Sequence, residues 1–200
     1  MTARRLVAIV EGELEKPASL RLLSAAGIST EGVIPVSKGG ASCFWREAPR
    51  FNEAARKGLT VLGLTDLDQA ACPSGLIARH IPGPLAQRFL LRIPVLSLES
   101  WLLADRESIA SFLGVPAVRV PALPEEVAHP KRTLATLAAG SKKREIRDGV
   151  APAPNRSAIV GTQYLPIMSR FITEEWEPSR AAKRSPSLAR ALAALERVQL

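Results

Sequence analysis

Arg5-Leu6-Val7-Ala8-Ile9-Val10 runs straight into Glu11-Gly12-Glu13-Leu14-Glu15, and Leu59-Thr60-Val61-Leu62-Gly63-Leu64 runs into Thr65-Asp66-Leu67-Asp68. Each is a short, nearly continuous apolar stretch that ends in an acidic turn. Strands buried on both faces read this way, and such strands belong to parallel sheets. After the first acidic turn, Leu20, Leu22, Leu23 and Ala26 fall at helical spacing within Lys16 to Ala26, and Gly27 closes the segment. Gly32 to Val36 is expected to be the next short strand, Lys38-Gly39-Gly40 a loop, and Pro49 to Lys57 a helix stopped by Gly58. Strand and helix alternating at these lengths predict βαβ units: an α/β parallel-sheet core flanked by helices.

Downstream, Pro73-Ser74-Gly75 marks a loop, and Phe89 to Val95 reads as a strand that Pro94 places at an edge or at its own end. Ser97 is expected to cap a helix over Leu98 to Asp105. From Arg106 the pattern becomes helices separated by proline-rich connections, notably Val115 to Pro130 and Gly149 to Asn155, with a last helix over Pro186 to Val198. The expected organisation is therefore an α/β core over 1–105 that carries the acidic residues, and a mainly helical C-terminal elaboration over 106–200 packed on it. No internal repeat or heptad pattern is present.

With 200 residues, 46% of them hydrophobic, the chain is long enough to bury a substantial core. Its longest apolar stretches are interrupted well before the roughly 20 residues a bilayer requires. The start offers too short an apolar run before Glu11 to serve as a secretory signal, so a cytoplasmic protein is expected. Cys43 and Cys72 fit free thiols in such a compartment. The net charge of +8 makes nucleic acid, DNA or RNA, the natural partner, although an arginine-rich codon usage also produces a basic surface. Aromatic residues make up only 4% of the chain, which argues against a base-stacking platform and for contacts to the backbone.

Against that basic background the two acidic turns stand out. Carboxylates held about 5 Å apart repel by about 3 kcal/mol per pair at an effective dielectric near 20, so several converging call for a cation. Taken singly, Glu11 and Glu15 also suit a helix start, and Asp66 and Asp68 also suit a turn. Taken together they fall at the carboxyl ends of parallel strands, the edge where open α/β sheets bind ligands. In extended chain Asp66 and Asp68 would point to one side. Hard oxygen donors without histidine or cysteine select magnesium or manganese over zinc.

The pattern resembles the Toprim superfamily, shared by topoisomerases, bacterial primases and OLD-family nucleases. Val10-Glu11-Gly12 followed by Glu15 is similar to the form in OLD-type nucleases, and Leu64-Thr65-Asp66-Leu67-Asp68 is similar to the second motif. Leu98-Glu99-Ser100-Trp101-Leu102-Leu103-Ala104-Asp105 resembles a third segment, found in small bacterial Toprim-like proteins of defence type. The resemblance covers Leu6 to Asp105, and more weakly Ser185-Pro186-Ser187-Leu188. It implies Glu11 as the acid-base or metal-binding glutamate, Asp66 and Asp68 as ligands of Mg2+ (or Mn2+), and Glu15 and Glu99 as groups positioning a second ion. It further implies phosphodiester cleavage of nucleic acid, in bacterial antiphage defence or toxin-like machinery. Leu14 and Gln69 depart from the family pattern.

Other readings remain beside this one. Related modules pair with ATPases, and this chain has no Gly-x-x-x-x-Gly-Lys-Ser/Thr loop, so a non-catalytic subunit that binds nucleic acid or an ATPase partner is the alternative. An aspartyl-phosphate phosphatase would also place Asp-x-Asp after a strand, but Ala70 stands where such enzymes carry threonine. Lys142, Lys143, Arg144 and Arg147, with Arg180, Lys183 and Arg184, are candidate phosphate contacts, or else a solvated face. Glu99 equally suits the first turn of a core helix. His80 and His129 lack a metal-ligand spacing, and Cys43 and Cys72 lack an adjacent histidine.

Overall fold

A computed structural model describes residues 6–153 and 157–198. Four strands form a wholly parallel sheet: β1 (Leu6–Val10), β2 (Val36–Ser37), β3 (Thr60–Leu64) and β4 (Phe89–Arg92), in the order β2-β1-β3-β4. Val10 lies beside Leu64, and Leu64 beside Arg92, so the strands end in step along one edge. The helices are α1 (Glu15–Ala25), α2 (Ala41–Arg56), α3 (Pro73–His80), α4 (Leu98–Ala104), α5 (Arg106–Leu113), α6 (Pro130–Ala139), α7 (Arg144–Val150), α8 (Tyr164–Glu174), α9 (Pro178–Ala181) and α10 (Pro186–Glu196). The expected α/β class, a parallel sheet flanked by helices, is what forms.

Strand alternation splits the core in two. Ala8, Val10, Leu62, Leu64 and Leu90 enter one large cluster, which continues through α1 and α4 to α8 and α10. Ile9, Val61, Phe89 and Leu91 point the other way, into a smaller cluster with Phe44 and Trp45 of α2 and Leu76 of α3. Both faces are therefore dry, as a parallel sheet requires. Gly63 has a packing reason: a Cβ there would stand 2.8 Å from the Phe89 ring and 2.9 Å from Leu91 Cδ1.

Several boundaries differ from the sequence expectation, each for a local reason. The helix expected from Pro49 begins at Ala41, with Pro49 inside it. Phe44, Trp45, Ala48, Asn52 and Ala55 form one buried stripe, and that amphipathic face outweighs the proline. Only Val36 and Ser37 pair as a strand in the segment expected to be extended from Gly32. Pro73-Ser74-Gly75 opens α3 rather than a loop, because Cys72 Sγ accepts from Gly75 N and Pro73 occupies the first turn. β4 stops at Arg92, short of Val95, and α10 at Glu196. Arg5, at the expected start of β1, and Asn155, at the end of a proline-rich connection, lie outside the described residues.

The half of the chain after Arg106 shares its core with the sheet. Trp101 and Trp176 are both fully buried, and Trp176 Nε1 donates to Trp101 O at 3.3 Å. Trp101 Nε1 donates to Ser187 Oγ at 2.7 Å, and Glu125 accepts from the amide and hydroxyl of Ser187 at 2.9 and 2.7 Å. The Ser185-Pro186-Ser187 stretch thus anchors α10 to α4. No helix among the described residues is long and apolar enough to cross a membrane.

Candidate functional site

Pairing continues beyond the strands and carries the acidic residues together. Glu11 N donates to Leu64 O at 3.0 Å, which joins the end of β1 to the end of β3. Past β3, Thr65 N reaches Arg92 O, Leu67 N reaches Pro94 O and Asp68 N reaches Leu96 O at 2.8 Å. The segment holding Asp66 and Asp68 is thereby bound to the one that leads into Ser97 and Glu99. The extended geometry ends at Asp68, whose φ of 50° is left-handed, a conformation aspartate tolerates better than most residues. Asp68 is exposed, while Leu67 turns into the smaller core.

Glu11 Oε2 accepts from Thr65 Oγ1 at 2.7 Å and from Asp66 N at 3.2 Å. Asp66 Oδ1 accepts from Leu98 N, at the start of α4, at 2.9 Å. Glu11 Oε1 and Asp66 Oδ2 have no hydrogen-bond partner among the described residues. Glu15 is buried in the first turn of α1, and its Oε2 would lie 2.9 Å from any Cβ at residue 12, so Gly12 leaves room for that carboxylate. Glu99, also buried, is the most heavily bonded: Ser97 Oγ donates to Oε2 at 2.6 Å, Tyr164 OH to Oε1 at 2.7 Å, and Lys131 Nζ stands 3.5 Å from Oε1.

Electrostatics follow from that crowding. Desolvation, then the charges of Glu99, Glu15, Glu11 and Asp68, push the Asp66 carboxyl well above the usual aspartate range. Desolvation, with repulsion from Glu99 and Glu11, raises Glu15 to about 6. Burial works against the Lys131 charge, but Glu99, Asp66 and Glu15 outweigh it and raise the ammonium above its ordinary value. Burial and Glu99 hold the Tyr164 phenol well above 10, so it remains a hydrogen-bond donor. A cavity of about 200 Å³ opens beside the acids, lined by Asp68, Ser97, His129, Lys131 and Arg132 among others.

Glu11, Glu15, Asp66, Asp68 and Glu99 thus converge at the carboxyl edge of the sheet. The basic residues singled out from the sequence do not line the adjoining cavity. Lys143 Nζ donates to the Ser111 and Phe112 carbonyls at the end of α5, both at 3.0 Å. Arg144 pairs with Asp148, and Arg147 with Asp148 and Ser141 O. Arg180 grips the fully buried Asp105, and Arg184 grips Glu107 with both terminal nitrogens. Lys142 and Lys183 are exposed. Sequence reasoning missed Lys131, Tyr164 and Arg132, which reach the site from α6 and α8. No local motif announces them; the separation of helix and strand in the chain hides the contact. His80 stacks on Trp45, with ring centroids 4.8 Å apart.

The donor chemistry fits a hard divalent cation, since every converging side chain offers carboxylate oxygen and Asp66 feels four like charges. As the side chains stand, no group of three His, Cys, Asp or Glu among the described residues is disposed to hold one ion. Thr65, Leu98, Ser97 and Tyr164 each hold an oxygen of Glu11, Asp66 or Glu99 toward the protein.

Fold and site together define an α/β protein whose parallel sheet opens an acidic crevice at its carboxyl edge. The chain is similar to the C-terminal region of the Burkholderia pseudomallei OLD protein, with a TM-score of 0.45, at 16% identity, over 96% of this chain and 96% of that one. No family model matches the sequence, and no curated protein matches it.

Proposed function

We propose that this protein cleaves phosphodiester bonds of nucleic acid with the help of Mg2+ or Mn2+. The observation that carries the reading is the gathering of Glu99, Glu15, Glu11 and Asp68 about the buried Asp66, where burial and then those charges raise its affinity for positive charge. Asp66 and Asp68 would hold the cation, with Glu15 and Glu99 positioning a second. When bound, such ions polarise the phosphate and lower the pKa of a coordinated water. The chain's own residues do the rest. Thr65 and the Asp66 amide orient Glu11, whose free oxygen is available to take a proton from the attacking water. Leu98 N fixes Asp66, and Tyr164 and Ser97 fix Glu99. Lys131 and Arg132, on the wall of the cavity, offer positive charge to the scissile phosphate.

The test pairs manganese titration calorimetry with cleavage assays on plasmid DNA, single-stranded DNA and RNA. Wild type is expected to bind the ion and cut at least one substrate, and Asp66→Asn to do neither. Equal cutting by the two proteins would remove the assignment.

One observation favours a second reading, a non-catalytic subunit that binds nucleic acid or an ATPase partner: Lys131 already supplies the acidic cluster with a cation. Absence of ion uptake in the same titration, with nucleic-acid binding retained, selects it. A place in antiphage defence is proposed with the enzyme reading, and phage plating on cells expressing wild type or Asp66→Asn tests it.

A further inference from the structure

A second concave site lies away from the acids. It is a cleft of about 640 Å³ on the face of the sheet that packs against α10, at the outer edge of β4. Arg88 and Arg92 flank Leu90 on that face, and Arg197 comes in just after α10; Thr60 and Gln87 complete the polar wall. None of the acidic residues of the candidate site lines it.

Among the described residues, three guanidiniums share this cleft without a carboxylate. No ion pair among the described residues involves Arg88, Arg92 or Arg197. Arg88 is held in place by Nη1 donating to Thr60 Oγ1 at 3.1 Å. Arg92 donates from Nη1 to Leu91 O at 3.0 Å, but its Nε is buried and finds no acceptor among the described residues. A buried N–H without a partner is costly, and proteins seldom keep one without a use. Like charges gathered on one wall repel as well, and a bound anion would relieve that repulsion. Guanidinium forks match the tetrahedral oxygens of phosphate, and the cleft is of the size that takes a nucleotide-sized ligand.

The geometry points to Arg88, Arg92 and Arg197 as a binding site for a phosphate-bearing ligand, separate from the acidic crevice. Arg92 presents its guanidinium on the inner wall, and the two outer arginines close on the remaining oxygens. The phosphate belongs either to a free nucleotide or to the backbone of a nucleic-acid strand.

Calorimetry with two probes tests the site: inorganic pyrophosphate for the free source, and an eight-nucleotide oligothymidylate for the strand. Binding of either is expected to weaken about tenfold in Arg197→Gln and in Arg88→Gln, each removing one charged contact. Ala194→Glu, which sets a carboxylate into the same cleft, should abolish it without touching the buried Arg92. In metal-free buffer Asp66→Asn should bind pyrophosphate like wild type, so a failed nuclease assignment leaves this site standing. Pyrophosphate binding alone assigns the site to free phosphates, and oligonucleotide binding that the cleft variants weaken assigns it to a strand. Failure of both probes to bind, or binding unchanged in Ala194→Glu and Arg197→Gln, overturns the proposal.

Discussion

Tyr164 donates its hydroxyl to Glu99 Oε1 at 2.7 Å, across 65 residues of chain, and both side chains are buried. Tyr164 opens α8 and Glu99 sits in the first turn of α4, so the acidic crevice is completed by the helical half of the molecule. Removing the hydroxyl should leave a buried carboxylate short of one donor. Tyr164→Phe is expected to lose about 1.5–3 kcal/mol in urea unfolding, the range for a hydrogen bond to a charged group. A change below the error of the measurement would show that water or Lys131 replaces the donor.

Glu15 gives a pH dependence with a definite sign. Its carboxyl rises from 4.5 to about 6 on folding, so the folded chain binds the extra proton between those values. Stability of the metal-free protein should therefore fall as pH climbs through that window, by about 2 kcal/mol in all for this group, and stay lower above it. Glu15→Gln should flatten the slope, leaving the part that Asp66 contributes, and melt higher than wild type at pH 8. Identical melting curves for the two proteins from pH 4.5 to 8 would refute the assignment.

Arg180 was a candidate phosphate contact on sequence grounds, but its fork closes on Asp105, which is fully buried and also accepts from Glu177 N at 3.0 Å. Arg180→Ala should thus cost about 2–3 kcal/mol of stability, below the ~3–5 kcal/mol of a wholly buried pair because the guanidinium is partly in water. Affinity for nucleic acid, measured well below the melting temperature, is expected to be unchanged.

Gly63 lies at the centre of the sheet, where an added methyl meets Phe89 and Leu91 closer than 3 Å. Gly63→Ala should destabilise the protein by about 1–3 kcal/mol through overpacking. Phe89→Leu in the same chain should restore part of that loss, and thermal denaturation of the single and double variants reads it.

The strands and the acidic turns were legible because their signals are local: an apolar run, then carboxylates, within one short stretch. Glu11 and Asp66 could be paired because parallel strands that end in step bring their following turns together. Lys131 and Tyr164 carried no such signal, since a lysine after a proline and a tyrosine before Leu165 look like ordinary surface and helix residues. Pro49 misled the reading of α2 because proline so often starts a helix, and only the buried stripe from Phe44 to Ala55 shows that this one does not. Cys72 and Pro73 hid α3 in the same way, by resembling a turn.

The two margins of the sheet bear on how this chain behaves at high concentration. β2 offers a visitor only Val36 and Ser37, and β4 gives out after Arg92, just ahead of a proline that lacks an N–H. Neither margin is long enough to template an intruding strand, and a charged arginine stands on the longer one. Molecules of this kind should resist edge-to-edge stacking into fibrils even when crowded, despite a sheet whose interior strands are almost entirely aliphatic.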